Sequence, residues 1–96
     1  MYSILHEVYD ELAERLRGQI GERSYYAGCI DYVSGDVNIE FRVTLILYRR
    51  EEQFPEGVFN LITDVVPVWW ECHTFLGAVE LLNDFDFTEI KKRIID

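Results

Sequence analysis

The sequence predicts an α+β fold: an N-terminal amphipathic helix, a four-stranded antiparallel meander sheet and a short C-terminal helix, with the helices mainly on one sheet face. Three observations carry this reading. Apolar residues repeat at helical spacing from Ile4 to Ile20, the period falls to two from Tyr25 onward, and a helix-start signal returns at Asp86. Ninety-six residues make a single domain, 1–96, since single cores typically run to about 100–150 residues.

In the first segment Ile4, Leu5, Val8, Tyr9, Leu12, Ala13, Leu16 and Ile20 follow the i, i+3/i+4 pattern of one helix face, and Glu7, Asp10, Glu11, Glu14, Arg15 and Arg17 fill the other. Ser3 has the side chain of an N-cap, and Gly18 or Gly21 supplies the stop. Further on, Val37, Ile39, Phe41, Val43, Leu45 and Leu47 alternate with Asn38, Glu40, Arg42, Thr44, Ile46 and Tyr48, as in a strand buried on its odd face. Tyr25 to Val33 forms the strand before it, joined through the turn residues Ser34-Gly35-Asp36. A two-residue loop pairs even positions of one strand with odd positions of the next, so Tyr26, Gly28, Ile30 and Tyr32 join the apolar face. Gly28 leaves a gap there, suited to a bulge or a closely approaching helix.

Arg49 to Gly57 reads as a polar connection broken by Pro55 and Gly57. Val58 to Phe75 is apolar and β-prone, and Pro67, with no N–H to donate, predicts an edge, bend or bulge with the strand resuming near Val68. Leu76-Gly77 reads as a turn and Ala78 to Asn83 as a fourth, shorter strand. Asp86-Phe87-Thr88-Glu89 resembles a capping box with Asp in place of Ser or Thr, stapled by Phe85 and Ile90. The helix after it buries Phe87, Ile90, Ile94 and Ile95, while Lys91, Lys92 and Arg93 complement its negative end.

Eighteen acidic against nine basic residues give a net charge of −9, a field that repels nucleic-acid phosphates and anionic membranes. Direct nucleic-acid binding and membrane association are thus not expected. From Glu56 to Glu89 the segregation is sharper: seven carboxylates, both tryptophans and one histidine, with no Lys or Arg. Such a block serves solubility or a basic partner. No basic n-region precedes the first carboxylates, and no apolar run approaches the ~20 residues of a membrane helix. The expected location is cytoplasmic, with Cys29 and Cys72 reduced. Their separation fits neither a zinc nor a redox motif, and both are expected to be small buried hydrophobes.

On the tryptophan strand, Val66, Val68, Trp70, Cys72 and Thr74 share the face expected to be core, and Pro67, Trp69, Glu71, His73 and Phe75 share the other. A turn at Leu76-Gly77 places His73 opposite Glu80 and Trp69 opposite Asp84. With Glu71 two residues back, His73 has two carboxylates in reach, which favour its protonated form and suit an ion pair or a pH-sensitive interface group. One His and two carboxylates fall short of a metal-ligand pattern, so no metal or cofactor is predicted. Cys72 and His73 point to opposite faces, and no phosphate loop, CxxC or HExxH is present, so no catalytic residue is assigned.

Six residues stand out as interaction candidates on the face away from the helices: Ile46, Tyr48, Trp69, Glu71, His73 and Glu80. Tyr25 and Leu82 add to the apolar patch, and Glu40 and Arg42 to its charged rim, unless the C-terminal helix or the Arg49 to Gly57 segment covers it. The expected function is protein–protein interaction through this aromatic and acidic face, by self-association as a homodimer or with a basic partner. The alternatives are a carboxylate mimic of nucleic acid that inhibits a nucleic-acid-binding protein, and a small enzyme or ligand-binding domain with a site near Trp69, Glu71 and His73.

Overall fold

A computed structural model describes Met1–Asp96 and runs α1 (His6–Ile20), β1 (Tyr25–Ser34), β2 (Val37–Phe54), β3 (Gly57–Leu76), β4 (Val79–Leu81) and α2 (Phe87–Ile94). The strands pair in chain order as one antiparallel sheet. The odd positions of β2 fix where the core lies. Ile39, Phe41, Val43, Leu45 and Leu47 are all buried, with Tyr26 and Ile30 of β1 beside Leu45 and Phe41. Val8, Leu12, Leu16 and Ile20 from α1 and Ile90 and Ile94 from α2 close over these residues, so both helices lie on one sheet face. Phe41 sits at the centre with the rings of Phe85 and Phe87 at 5.0 and 6.4 Å. Truncating it to alanine costs about 3–5 kcal/mol, a large part of a domain's stability.

The helix ends depart from expectation in instructive ways. Ser3 does not cap α1: the helix starts at His6 with Leu5 at the cap and no side-chain bond there. The residues before it are drawn into an extended bridge, where Tyr2 pairs with Asn83 and the Ile4 N–H donates to Asp84 Oδ1 at 2.7 Å. Gly21, with φ of 55°, is the stop, its N–H on the Arg17 carbonyl. At α2, Asp86 accepts from the Thr88 N–H at 3.0 Å. The reciprocal arm of the capping box is absent because Glu89 turns to Lys92 and Arg93, and the Asp86 N–H donates instead to Tyr9 Oη at 2.9 Å.

The segment from Arg49 to Gly57 is not a loop. β2 continues to Phe54 and β3 begins at Gly57, leaving Pro55-Glu56 as a two-residue turn. Polar side chains concealed this stretch of strand, because a two-stranded ribbon needs no buried face to satisfy its ladder. β3 likewise passes Pro67 without ending. Val68 is the extra residue of a bulge between the Thr44–Trp69 and Leu45–Pro67 pairs, and Thr63 of a second between Tyr48–Asp64 and Arg49–Ile62. Each bulge exchanges the faces of the residues beyond it. Val65 is therefore buried and Pro67 half-buried beside Leu45, whereas Val66 and Val68, expected in the core, are exposed.

The last turn is Gly77-Ala78, one residue later than expected, and Phe75 pairs with Glu80. β4 ends at Leu81 opposite Thr74, so Trp69 lies opposite Thr44 of β2 and has no β4 partner in place of the expected Asp84. The free edge this creates in β3 explains Trp70, which packs on Phe85 at 5.2 Å from the helix side yet stays 39% exposed. Cys72 is largely buried, which pushes its thiol up to about 12. Cys29 was expected to be buried too but is exposed, because β1 register turns odd positions outward.

Gly28 sits in an unbroken stretch of the β1–β2 ladder, with neither bulge nor helix to account for it. The Tyr26 ring folds over it, held by a hydrogen bond from its phenol to Gln19 Oε1, and a Cβ at Gly28 would lie 2.2 Å from the phenol oxygen. Gly28→Ala is expected to displace Tyr26 and destabilise by about 1–3 kcal/mol. Tyr26→Phe in the same background should recover part of that loss in urea unfolding, since it removes the clashing oxygen.

Candidate functional site

Opposite the helices the sheet has no cover, and β-strand alternation decides what stands on it. Even positions of β2 face this side, paired with odd positions of β1 and, up to the first bulge, odd positions of β3. The rows run Tyr25–Ile46–Val66, Ala27–Thr44–Trp69, Cys29–Arg42–Glu71 and Asp31–Glu40–His73. Beyond the second bulge Arg50 lies opposite Leu61 and Glu52 opposite Phe59. Parity keeps these residues on the open side, since Arg49 and Ile62 face the helices: Ile62 is buried and Arg49 bonds the Gly21 and Arg23 carbonyls.

The open face thus divides in two. Toward the β2–β3 turn runs an apolar stripe of Trp69, Val66, Ile46 and Tyr48, continued by Leu61, Phe59 and Phe54; Trp69 is 47% and Tyr48 55% exposed. Phe54 and Phe59 meet edge to face at 5.5 Å. Charges within the stripe are matched, Arg50 with Glu52 at 3.0 Å and Asp64 with Lys91 at 3.0 Å. Toward the opposite end stand Asp31, Glu40, Glu71 and Glu80, with Arg42 and His73 the cationic groups among them.

His73 organises the acidic end. Its Nδ1 lies 2.9 Å from Glu80 Oε2 and its Nε2 3.0 Å from Glu71 Oε2. A neutral imidazole carries one N–H and can donate to only one of them, so this geometry belongs to the imidazolium. Hydrogen bonding to Glu80 and then to Glu71 raises the His73 pKa above its ordinary value. With both ring nitrogens engaged by carboxylates, no lone pair remains to ligate a metal. Glu80 reaches His73 although it pairs with Phe75, because a register shift of two residues keeps a side chain on the same face.

Of the six residues singled out in the sequence, His73, Glu71 and Glu80 form one hydrogen-bonded cluster, while Ile46, Tyr48 and Trp69 belong to the apolar half. Val66 escaped sequence reasoning because the bulge at Val68 turns it to this face, Leu61 and Phe59 share the parity of Trp69 only because two bulges cancel, and Phe54 lay in the stretch read as a polar connection. Pro67 was the one visible sign of the first. His6 stands at the start of α1, 3.3 Å from Arg93. Asp84 holds the Ile4 N–H and Asp86 caps α2, so both have structural uses. A hollow of about 650 Å³ wraps the end of the β1–β2 hairpin beside Arg15, Asp31, Tyr32, Glu40 and Phe75; Glu40 lies opposite His73 and Phe75 stacks on its ring, but Trp69, Glu71 and His73 do not themselves line it.

Compared with protein-family models, curated protein sequences and solved structures, the chain matches none. No helix is long and apolar enough to cross a membrane.

A raised histidine pKa stabilises the fold below the unfolded-state value of about 6.5, and the contribution disappears as pH climbs through the folded-state value. The melting temperature of wild type should therefore exceed that of His73→Gln at pH 6, and the gap should close by pH 9. A gap independent of pH would show that the imidazolium is not what the two glutamates hold.

Proposed function

We propose that the chain is a cytoplasmic protein-binding module whose open sheet face takes a partner carrying an apolar patch bordered by Lys or Arg. The observation that supports this is the adjacency, on one uncovered face, of an aromatic stripe with matched charges and an end where carboxylates outnumber cations. The two halves suit different parts of recognition. Exposed Trp, Tyr and Phe provide area that gains by leaving water, and large exposed apolar patches are a common mark of interaction surfaces. The acidic end steers and orients a basic partner, an effect magnified by the −9 net charge.

Other readings draw less support. A mimic of nucleic acid needs its carboxylates spread along one surface, but here four of those on the open face, Asp31, Glu40, Glu71 and Glu80, gather at one end, Glu52 and Asp64 are paired with Arg50 and Lys91, and Glu7, Asp10 and Glu14 lie on α1. A homodimer through this face would place two copies of the same acidic end, Asp31, Glu40, Glu71 and Glu80, in one interface.

Immobilised wild type and Trp69→Ala, exposed to extract of the source cells at low and high salt, test the proposal. A partner retained by wild type at about 50 mM salt should be lost toward 1 M, where screening is nearly complete, and lost on Trp69→Ala at low salt. Because Trp69 is half exposed, its truncation should leave the melting temperature within a few degrees. Binding that ignores both salt and Trp69→Ala would refute the assignment.

A further inference from the structure

The β1 edge is the part of the sheet least defended against another strand. The Leu47 N–H donates to the Ser24 carbonyl, and the unbroken β1–β2 register extends that pattern, so even-numbered residues of β1 direct their backbone groups into the sheet. Tyr25, Ala27, Cys29, Asp31 and Val33 consequently direct their N–H and C=O groups outward, and all five residues are exposed. Arg15 confirms the direction by donating to the Asp31 carbonyl at 3.1 Å from outside the ladder. Ten residues of regular strand, with no bulge, no proline and one charged side chain, form the kind of edge that invites pairing.

The other edges are blunted. β4 has three residues and is followed by the Tyr2–Asn83 bridge. β3 is interrupted by Pro67 and two bulges, Asn83 Nδ2 donates to its Cys72 carbonyl, and Asp96 accepts from the Ile62 N–H and donates its own to the Ile62 carbonyl. The far part of β2 carries Arg50, Glu51 and Glu52.

We infer that β1 pairs with β1 of a second copy, antiparallel about a two-fold axis at Cys29, joining the two sheets edge to edge. The outward residues are symmetric about Cys29, so this register uses all of them: Cys29 meets Cys29 of the other copy, Ala27 meets Asp31, and Tyr25 meets Val33. No like charges oppose each other, and the end pairs combine an aromatic with a β-branched side chain, a favourable cross-strand match. A neighbouring register would leave part of the outward ladder unpaired, and centring on Asp31 would set two carboxylates face to face. Pairing consumes the one long regular edge of each copy, so assembly closes at two. Both open faces then lie on the same side of one continuous sheet. The inference concerns the edge and not the open face, so it stands or falls separately from the proposed partner.

Sedimentation equilibrium and crosslinking test it. Wild type should approach twice the 11.4 kDa chain mass at about 50 µM, and more completely as salt screens the two acidic chains. Ala27→Pro removes an outward N–H and none of the β1–β2 ladder, and Ala27→Asp sets a carboxylate opposite Asp31 of the other copy. Each should lower association at least tenfold with the circular dichroism of wild type retained. Arg15→Ala frees the Asp31 carbonyl and should tighten the dimer, which a merely supporting role for Arg15 would not produce. Paired strands place the two Cys29 Cα atoms about 5.5 Å apart, within disulfide range, so diamide should yield a covalent dimer lost in Cys29→Ser and retained in Cys72→Ser. A monomeric wild type at every concentration, or a dimer unaffected by the folded Ala27 variants but dissociated by Trp69→Ala, would overturn the inference.

Discussion

Everything in this molecule depends on the alternation of β2. Its odd side chains from Ile39 to Leu47 are all buried, in the one core cluster to which both helices contribute. A one-residue slip of β2 against either neighbour would carry this set to the solvent side, so the apolar pattern pins both registers. The same constraint leaves the even side bare. The chain has two helices, both are needed to cover Phe41 and its neighbours, and nothing remains for the other face.

The strength of that pattern is also why so much of the fold could be anticipated. Helix α1, the β1–β2 register and the Asp86 cap rest on local signals that the tertiary structure has no reason to override. The misplaced features share a different cause. Ser3 loses its cap position to a backbone bridge with residues eighty positions away, and Val66 and Val68 leave the core through bulges whose effect emerges only once β2 is laid alongside. Arg49 to Gln53 join a strand without contributing a buried side chain, so no apolar alternation announces it. At the candidate site, His73 with its two glutamates was legible because parity survives an even error in register, whereas the apolar stripe required counting through two bulges.

Charge is distributed to match. Glu89 sits between Lys92 and Arg93, Arg93 also meets Asp10 at 2.7 Å, and Arg17 meets Asp96 at 2.7 Å. Two of these pairs, Arg17–Asp96 and Arg93–Asp10, tie α1 to the C-terminal residue and to α2, and those of Glu89 lie within α2. Exposed pairs of this kind contribute about 1 kcal/mol or less each, so their chief effect is to draw the basic residues to the helix side. With nine Lys and Arg available and Lys91, Lys92, Arg93, Arg15 and Arg17 in or reaching for that layer, few are left for the open face. The acidic end around His73 follows from this allocation, without any need for an excess of carboxylates on that side.

The far end of the β2–β3 ribbon completes the argument. β1 reaches only to Ile46, so beyond Tyr48 the sheet is two strands wide, and the longest dimension of the molecule is 50 Å against 24 and 18 Å across. A two-stranded ribbon is marginally stable in water by itself. This one is anchored near its root by Arg49 on the Gly21 and Arg23 carbonyls and by Asp96 on Ile62, and past that point its side-chain contacts are the Phe54–Phe59 pair and the Arg50–Glu52 bridge. Phe54, Phe59 and Leu61 lie on the side that continues the stripe from Trp69. A surface that binds through the whole stripe would therefore gain twice, from apolar area removed from water and from ordering a ribbon that the rest of the chain supports at one end only.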